Sequence, residues 1–366
     1  MLKSISWALY LSTSWTWCIG MWAPTIAFKW LGWTGFLVFL IPNVLGTVSF
    51  GLLIKSKDIS KSFVDKHRIA VILFSTGVLF FHFYWVTWIF TSKQSNIFEA
   101  WDWSIPFWLA SFAILGTYLP NWGWRLFAFL TFLTSIYVGK FYLPFDLKSW
   151  PLMSGTKEPM QIIWITLFSF LGFFGSPWLD PTFHKARQEG GKLPFLIFPI
   201  FFIPSILLTA LYSKIGFSEI IIWPFLIHII IQTLFTTSAH YSELETLLKN
   251  KKNLSDLIII STPITATLLS YIAFKFNIGE IIYLDLLGLY GVIFPMYIFT
   301  YASQRLSTRK KLLYSFFWIL ISGIISAIAL RHDQIFFLLG MPPLIAIIYL
   351  LREKKELFST LFKRTL

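Results

Sequence analysis

The residues able to do chemistry are few, and they sit in apolar surroundings. Ser12, Thr13, Ser14 and Thr16 place four hydroxyls in the run LSTSWTWCIGMWAP. Neutral hydroxyls, with carbonyls freed from a broken helix, can hold a hard cation such as sodium. Asp180 lies in FGSPWLDPT; a carboxylate within a membrane segment faces a cavity or a partner. His82 in FFHFYWVTW and His228 can carry a proton, since histidine titrates near neutrality. Trp15, Trp17, Trp85 and Trp178 fall close to these groups and can stack on a solute. Catalysis fits poorly. No His or Cys pair has metal-ligand spacing, no glycine-rich phosphate loop is present, and carboxylates and histidines are too sparse for a membrane hydrolase or transferase. No cofactor is expected beyond a possible sodium ion, and the single Cys18 excludes a disulfide framework.

The elements that position these groups follow from composition. Of 366 residues 56% are hydrophobic and 13% charged, against about 25% charged in a soluble domain. A soluble protein of this size has no place to hide 40 Phe and 18 Trp, so the chain reads as an all-α polytopic membrane protein. Its net charge of +13 matters through position rather than sum, so the expected partners are the lipid bilayer and a small-molecule solute, not nucleic acid.

A span needs about 20 mainly apolar residues. Twelve such stretches are present, at about 5–28, 32–54, 69–91, 103–119, 122–143, 160–183, 194–213, 219–247, 256–276, 281–303, 312–330 and 335–351. With the N-terminus inside, outer segments hold only Lys29, Lys93, Lys140, Lys148, Lys157, Lys214, Lys275 and Arg331, and the other 22 of the 30 basic residues fall inside. Cytoplasmic segments are enriched in Lys and Arg, so this split predicts both termini cytoplasmic in a multi-pass protein of the plasma (inner) membrane. The N-terminal run offers no small-residue cleavage site and reads as a retained first span.

Two spans carry signals for a broken helix. The first has its hydroxyl cluster, then Gly20 and Pro24; the sixth has Gly172, Gly175 and Pro177, then Asp180 and Pro181. Glycine tolerates unusual backbone angles and proline removes a donor. The broken spans are five apart. An odd repeat starts its second copy from the opposite side of the membrane, giving an inverted pair whose matching broken helices mark a transporter's central site. The domain reading is therefore an inverted-repeat core at 1–305, with repeats at about 5–143 and 160–303, and two further spans with a basic cytoplasmic tail at 306–366. In the alternative reading of Asp180, span 6 ends earlier and the carboxylate caps the turn before Pro181.

FGSPWLDPTFHKAR, with Gly175, Pro177, Asp180 and Phe183, resembles the broken sixth helix of the sodium:solute symporter family, with His184, Lys185 and Ala186 in place of that family's Trp-Gln-Arg. The opening pair of spans, with Pro42-Asn43, TTSAHYSEL of span 8 and YGVIFP of span 10 are similar to other segments of the same family. The resemblance implies a five-plus-five inverted-repeat fold and sodium-coupled symport. It also implies a cation held between span 1 carbonyls around Leu11–Ser14 and hydroxyls of Thr236, Thr237 or Ser238, with Ala239 removing one oxygen. The expected function is a secondary transporter of a small polar organic solute, bound by Ser14, Trp15, Trp17, Trp85, Gly175, Ser176, Trp178 and Asp180. Proton coupling through His82 or His228, and a non-transporting sensor or structural protein on the same fold, are the alternatives.

Overall fold

The structure is a computed structural model describing residues 1–91, 102–142, 160–210, 222–302 and 309–362; the expected outer segments around Lys93, Lys148, Lys157 and Lys214 lie outside these. Among the described residues the regular secondary structure is all helical, with no strand. In chain order the helices are α1 (Leu2–Trp15), α2 (Cys18–Leu53), α3 (Lys57–Lys66), α4 (Arg68–Thr91), α5 (Ile105–Gly116), α6 (Asn121–Tyr142) and α7 (Gln161–Gly175). There follow α8 (Pro181–Gly190), α9 (Leu193–Ala210), α10 (Ile222–Leu248), α11 (Lys252–Phe276), α12 (Gly279–Gly288), α13 (Phe294–Tyr297), α14 (Arg309–Arg331) and α15 (Met341–Phe362).

Among the described residues, eight helices are long and apolar enough to cross a membrane: Cys18–Leu53, Arg68–Thr91, Gln161–Trp178, Leu193–Ala210, Lys252–Phe276, Gly279–Ala302, Leu312–Arg331 and Gln334–Arg352. The chain is a helical membrane protein. Helices α1, α5, α6 and α10 occupy the remaining expected segments. Leu257, Ile260, Ile264, Leu268 and Tyr271 form an exposed stripe along α11, while His82, His184, His228 and His240 are buried. An apolar outside and a polar interior is the distribution a bilayer imposes.

The 36 residues of α2 would span about 54 Å if straight, well beyond a hydrocarbon core of about 30 Å. They fold back at Gly32, whose φ of 61° lies in the left-handed region open to glycine. α2 thus contains the second half of the first expected span and all of the second. Further on, π-helical turns at Leu289–Ile293 and Ile298–Ala302 bracket Pro295, as expected where a proline disrupts the ladder of helix bonds.

The most extensive packings run between distant segments. α2 packs on α9 and α7, and α1 on α9; α4 packs on α11, and α10 on α5; α1 packs on α6, and α7 on the Leu289–Tyr297 stretch. Small residues set the last contact. A Cβ at Gly172 would lie 3.0 Å from the Cα of Gly291, and one at Gly175 would lie 2.6 Å from the Cα of Pro295.

Candidate functional site

The first break falls at two residues. Thr16 (ψ 65°) and Trp17 (ψ −176°) leave helical geometry, between α1 and α2. Hydroxyls here compete with the helix for its own carbonyls. Thr16 Oγ1 donates to Ser12 O at 2.9 Å, and Ser14 Oγ donates to Leu11 O at 3.1 Å. Gly20 and Pro24 lie within helix beyond the break. Proline cannot bond the carbonyl four residues back, and Thr209 Oγ1 of α9 donates to Gly20 O at 2.9 Å instead.

The second break begins later than its glycines predict. Gly172 and Gly175 are helical, because they are where α7 presses against Gly291 and Pro295; Gly175 is therefore a packing residue and not an unwound binding position. The chain turns through a 3-10 stretch, Ser176–Trp178, and Asp180 is extended (φ −79°, ψ 111°) before α8 starts with Pro181. Asp180 Oδ1 accepts from Thr182 N at 2.8 Å and from Thr182 Oγ1 at 2.7 Å. This is a helix N-cap, and the capping reading of Asp180 describes it. Asp180→Ala is expected to lower stability by about 1 kcal/mol in thermal melts of the detergent-solubilised protein, and Asp180→Ser, which can accept the same bond, to recover most of it.

A cavity lies where the two breaks meet. Its volume is about 40 Å³, room for about three waters. Its walls include Trp15, Trp17, Asn43, Phe168, Phe173, Ser176 and Tyr290. Three of the eight expected solute contacts, Trp15, Trp17 and Ser176, are therefore brought together. The other five are not. Trp85 is fully buried on α4, Trp178 packs on Phe50 and Phe63 (ring centres 5.5 and 5.6 Å), and Ser14, Gly175 and Asp180 are outside the lining. The lining is aromatic and apolar and carries no charged side chain.

Its polar groups are largely engaged. Trp15 Nε1 donates to Asn43 Oδ1, Ser176 Oγ to Tyr290 O at 2.6 Å, and Tyr290 Oη to Phe74 O at 3.2 Å. Trp17 Nε1 is buried with no partner among the described residues. The Trp17 indole meets Trp15, Tyr290, Phe74 and His240 edge-on at ring distances of 4.8, 5.1, 5.4 and 5.9 Å. A second cavity of about 60 Å³, reaching Trp30, Leu330 and Leu339, shares Phe168, Phe173 and Leu287 with the first.

The expected cation ligands do not converge. Thr237 Oγ1 donates to Thr233 O at 2.7 Å within its own helix. Ser238 points at α5, where its Oγ lies 2.5 Å from the position of a Cβ on Gly116. Only Thr236 reaches toward α1, and it does so through Gln232. Gln232 Nε2 donates to Thr13 O at 2.7 Å and to Thr236 Oγ1 at 3.2 Å. The physical reason is helix rotation: residues 236, 237 and 238 point about 100° apart, so one faces α1 and the others do not.

His82 is also committed. Its Nδ1 donates to Val78 O at 2.8 Å, and its Nε2 accepts the N–H of Cys18 at 3.2 Å, one of the amides that starts α2. A second ring proton would set donor against donor, so this geometry holds a neutral imidazole and does not suit a proton carrier. His228 lies one helical turn before Gln232, buried on α10.

Beyond the second break the basic end is closed by a chain of bonds. Gln188 donates to Ser60 Oγ (3.0 Å), Ser60 pairs with His184 Nδ1 (2.8 Å), and His184 Nε2 with Trp178 O (2.9 Å). Lys185 and Glu243 form an ion pair at 2.8 Å between α8 and α10, and Arg187 Nε donates to Ile54 O at 2.7 Å.

Phe168 and Phe173 escape a reading of the sequence alone, and Asn43, Tyr290 and the amide of Gln232 stand out in it without being assigned to the site. The sequence signal for Asn43 and Gln232 is an amide inside an apolar run; nothing marks the two phenylalanines among forty. No protein-family model matches the chain, and comparison with curated proteins finds no match.

Proposed function

We propose that the chain is a secondary transporter that moves a small neutral organic solute by alternating access, and that the solute sits where the two broken helices meet. The observation that carries this reading is the aromatic cavity lined by both breaks. Unwound helices facing one cavity are how transporters of inverted-repeat architecture bind solute at mid-membrane. In this reading the chain has twelve spans, ten of them in two inverted five-helix repeats, with two more at the C-terminal end.

The packing pattern supports the repeat. Numbering the expected spans, the third packs on the ninth and the fourth on the eighth; the first packs on the seventh and the sixth on the second; the first packs on the fifth and the sixth on the tenth. Each packing has a counterpart displaced by five. A similarity to the sodium:solute symporter family accounts for the same arrangement. The bonded basic end, read as cytoplasmic, and the small size of the cavity describe a conformation closed on that side. The absence of charge in the lining favours a neutral solute with one acceptor for Trp17 Nε1 over the charged partner that Asp180 would have offered.

A panel of labelled neutral and charged solutes, tested for thermal stabilisation and for counterflow into proteoliposomes, checks this. Neutral, largely apolar solutes are expected to stabilise and to move. Trp17→Phe, which keeps a ring but loses the donor, is expected to weaken binding about tenfold, the worth of about one hydrogen bond. Stabilisation by charged solutes alone would overturn the solute class. If nothing in the panel moves, the transport reading gives way to the sensor or structural one.

A further inference from the structure

We propose that the side-chain amide of Gln232 is a built-in replacement for a coupling cation, so that the protein works without sodium. The statement about the site stands on geometry alone; its consequence for solute movement rests on the transport reading.

A cation between α1 and α10 would need several oxygens aimed at one point. The chain has spent them on its own donors. Leu11 O takes the hydroxyl of Ser14, and Ser12 O takes both the N–H and the hydroxyl of Thr16. Thr13 O takes Gln232 Nε2 at 2.7 Å beside a longer bond from the N–H of Thr16 at 3.2 Å, and that Gln232 nitrogen lies 3.2 Å from Thr236 Oγ1. One positively polarised group thus touches one carbonyl on α1 and one hydroxyl on α10, as an ion bridging the two helices would. The orientation of the amide is fixed by its partner, because a carbonyl only accepts and the reverse setting would place oxygen against oxygen. The bridge is buried: Gln232 is 2% exposed and Thr236 0%. An amide carries two donors and no net charge, so it ties the break to α10 permanently, whereas an ion would tie it only when bound.

The test measures thermal stability of the full-length protein in sodium chloride and in choline chloride at equal ionic strength, with no solute added. The wild type is expected to melt at the same temperature in both. Gln232→Ala removes the amide and opens a space in which an ion would have Thr13 O, Thr236 Oγ1 and entering water as ligands; its melting temperature is expected to fall in choline and to recover by several degrees in sodium, since a ligand bound only by the folded state stabilises it. Gln232→Glu, nearly isosteric, sets a carboxylate among the same oxygens and is expected to gain the same sodium response even where the Ala variant does not fold. Sodium stabilisation of the wild type would overturn the proposal. So would folded variants that ignore sodium, because Gln232 would then be a packing bond at a place with no affinity for ions. Neither outcome touches the solute panel, so a failure here is distinct from a failure of the transport reading. Where a transported solute is in hand, wild-type uptake is expected to be unchanged when the sodium gradient is collapsed.

Discussion

Replacing Trp17 by Ala is expected to cost about 3–5 kcal/mol of stability, the usual toll for truncating a large buried aromatic side chain. Trp17 is 3% exposed, and four rings from α1, α4, α10 and the Leu289–Ile293 turn close on it edge-first. It is also the residue at which the backbone is extended, so its indole fixes the angle between α1 and α2. Denaturant melts of the solubilised protein should show the loss, and Trp17→Phe should keep most of the stability. The pair separates two roles of one residue. Ala removes the packing and Phe removes only the indole N–H, so stability and solute affinity should fall in different proportions. Equal stability of the Ala variant and the wild type would mean that the ring cluster is not where the first break is anchored.

Gly46→Ala is the second large effect. A Cβ at this position would lie 2.0 Å from the carbonyl oxygen of Phe173 and 2.6 Å from its carbon. That obstacle is backbone in the last turn of α7, so no side-chain rotation relieves it and α2 and α7 must separate. Overpacking costs about 1–3 kcal/mol, and a clash with backbone belongs at the upper end of that range. Gly288→Ala is the control, because nothing lies within 4 Å of a Cβ there. It should be neutral or slightly stabilising. Phe173 lines both cavities, so Gly46→Ala should also impair whatever solute binding the panel reveals.

The parts of this protein that are legible in its sequence are those written locally. Long apolar runs gave helices because lipid offers the backbone no other partner, and the hydroxyl-rich stretch Ser12–Thr16 marks the first break because those side chains bond the helix's own carbonyls. Glycine was the misleading letter. In the sixth expected span Gly172 and Gly175 serve close approach to Gly291 and Pro295, and the chain unwinds only after them. Nothing local distinguishes a glycine needed for its backbone freedom from one needed for its lack of a side chain. The candidate site fared similarly. Trp15, Trp17 and Ser176 sit beside breaks and were found by proximity; Asn43, Phe168 and Tyr290 join them only through contacts more than a hundred residues long in part, such as Ser176 to Tyr290. The expected cation ligands on α10 are not brought together for a rotational reason, since adjacent hydroxyls on a helix point to different neighbours.

The turn at Gly32 has a mechanical consequence. Residues 18–31 and 33–53 meet there without a linker, and the fit is close enough that a Cβ at Gly35 would lie 1.9 Å from the carbonyl oxygen of Ala27. The two arms behave as one rigid hairpin, with no slack at its tip to absorb rotation of one arm against the other. Under the transport reading, a motion that opens the basic end therefore has one joint available within α1 and α2: the two non-helical residues Thr16 and Trp17. In that reading α1 is the lever and the hairpin is the frame against which it swings. Stiffening that joint, rather than the tip, is what would lock the machine.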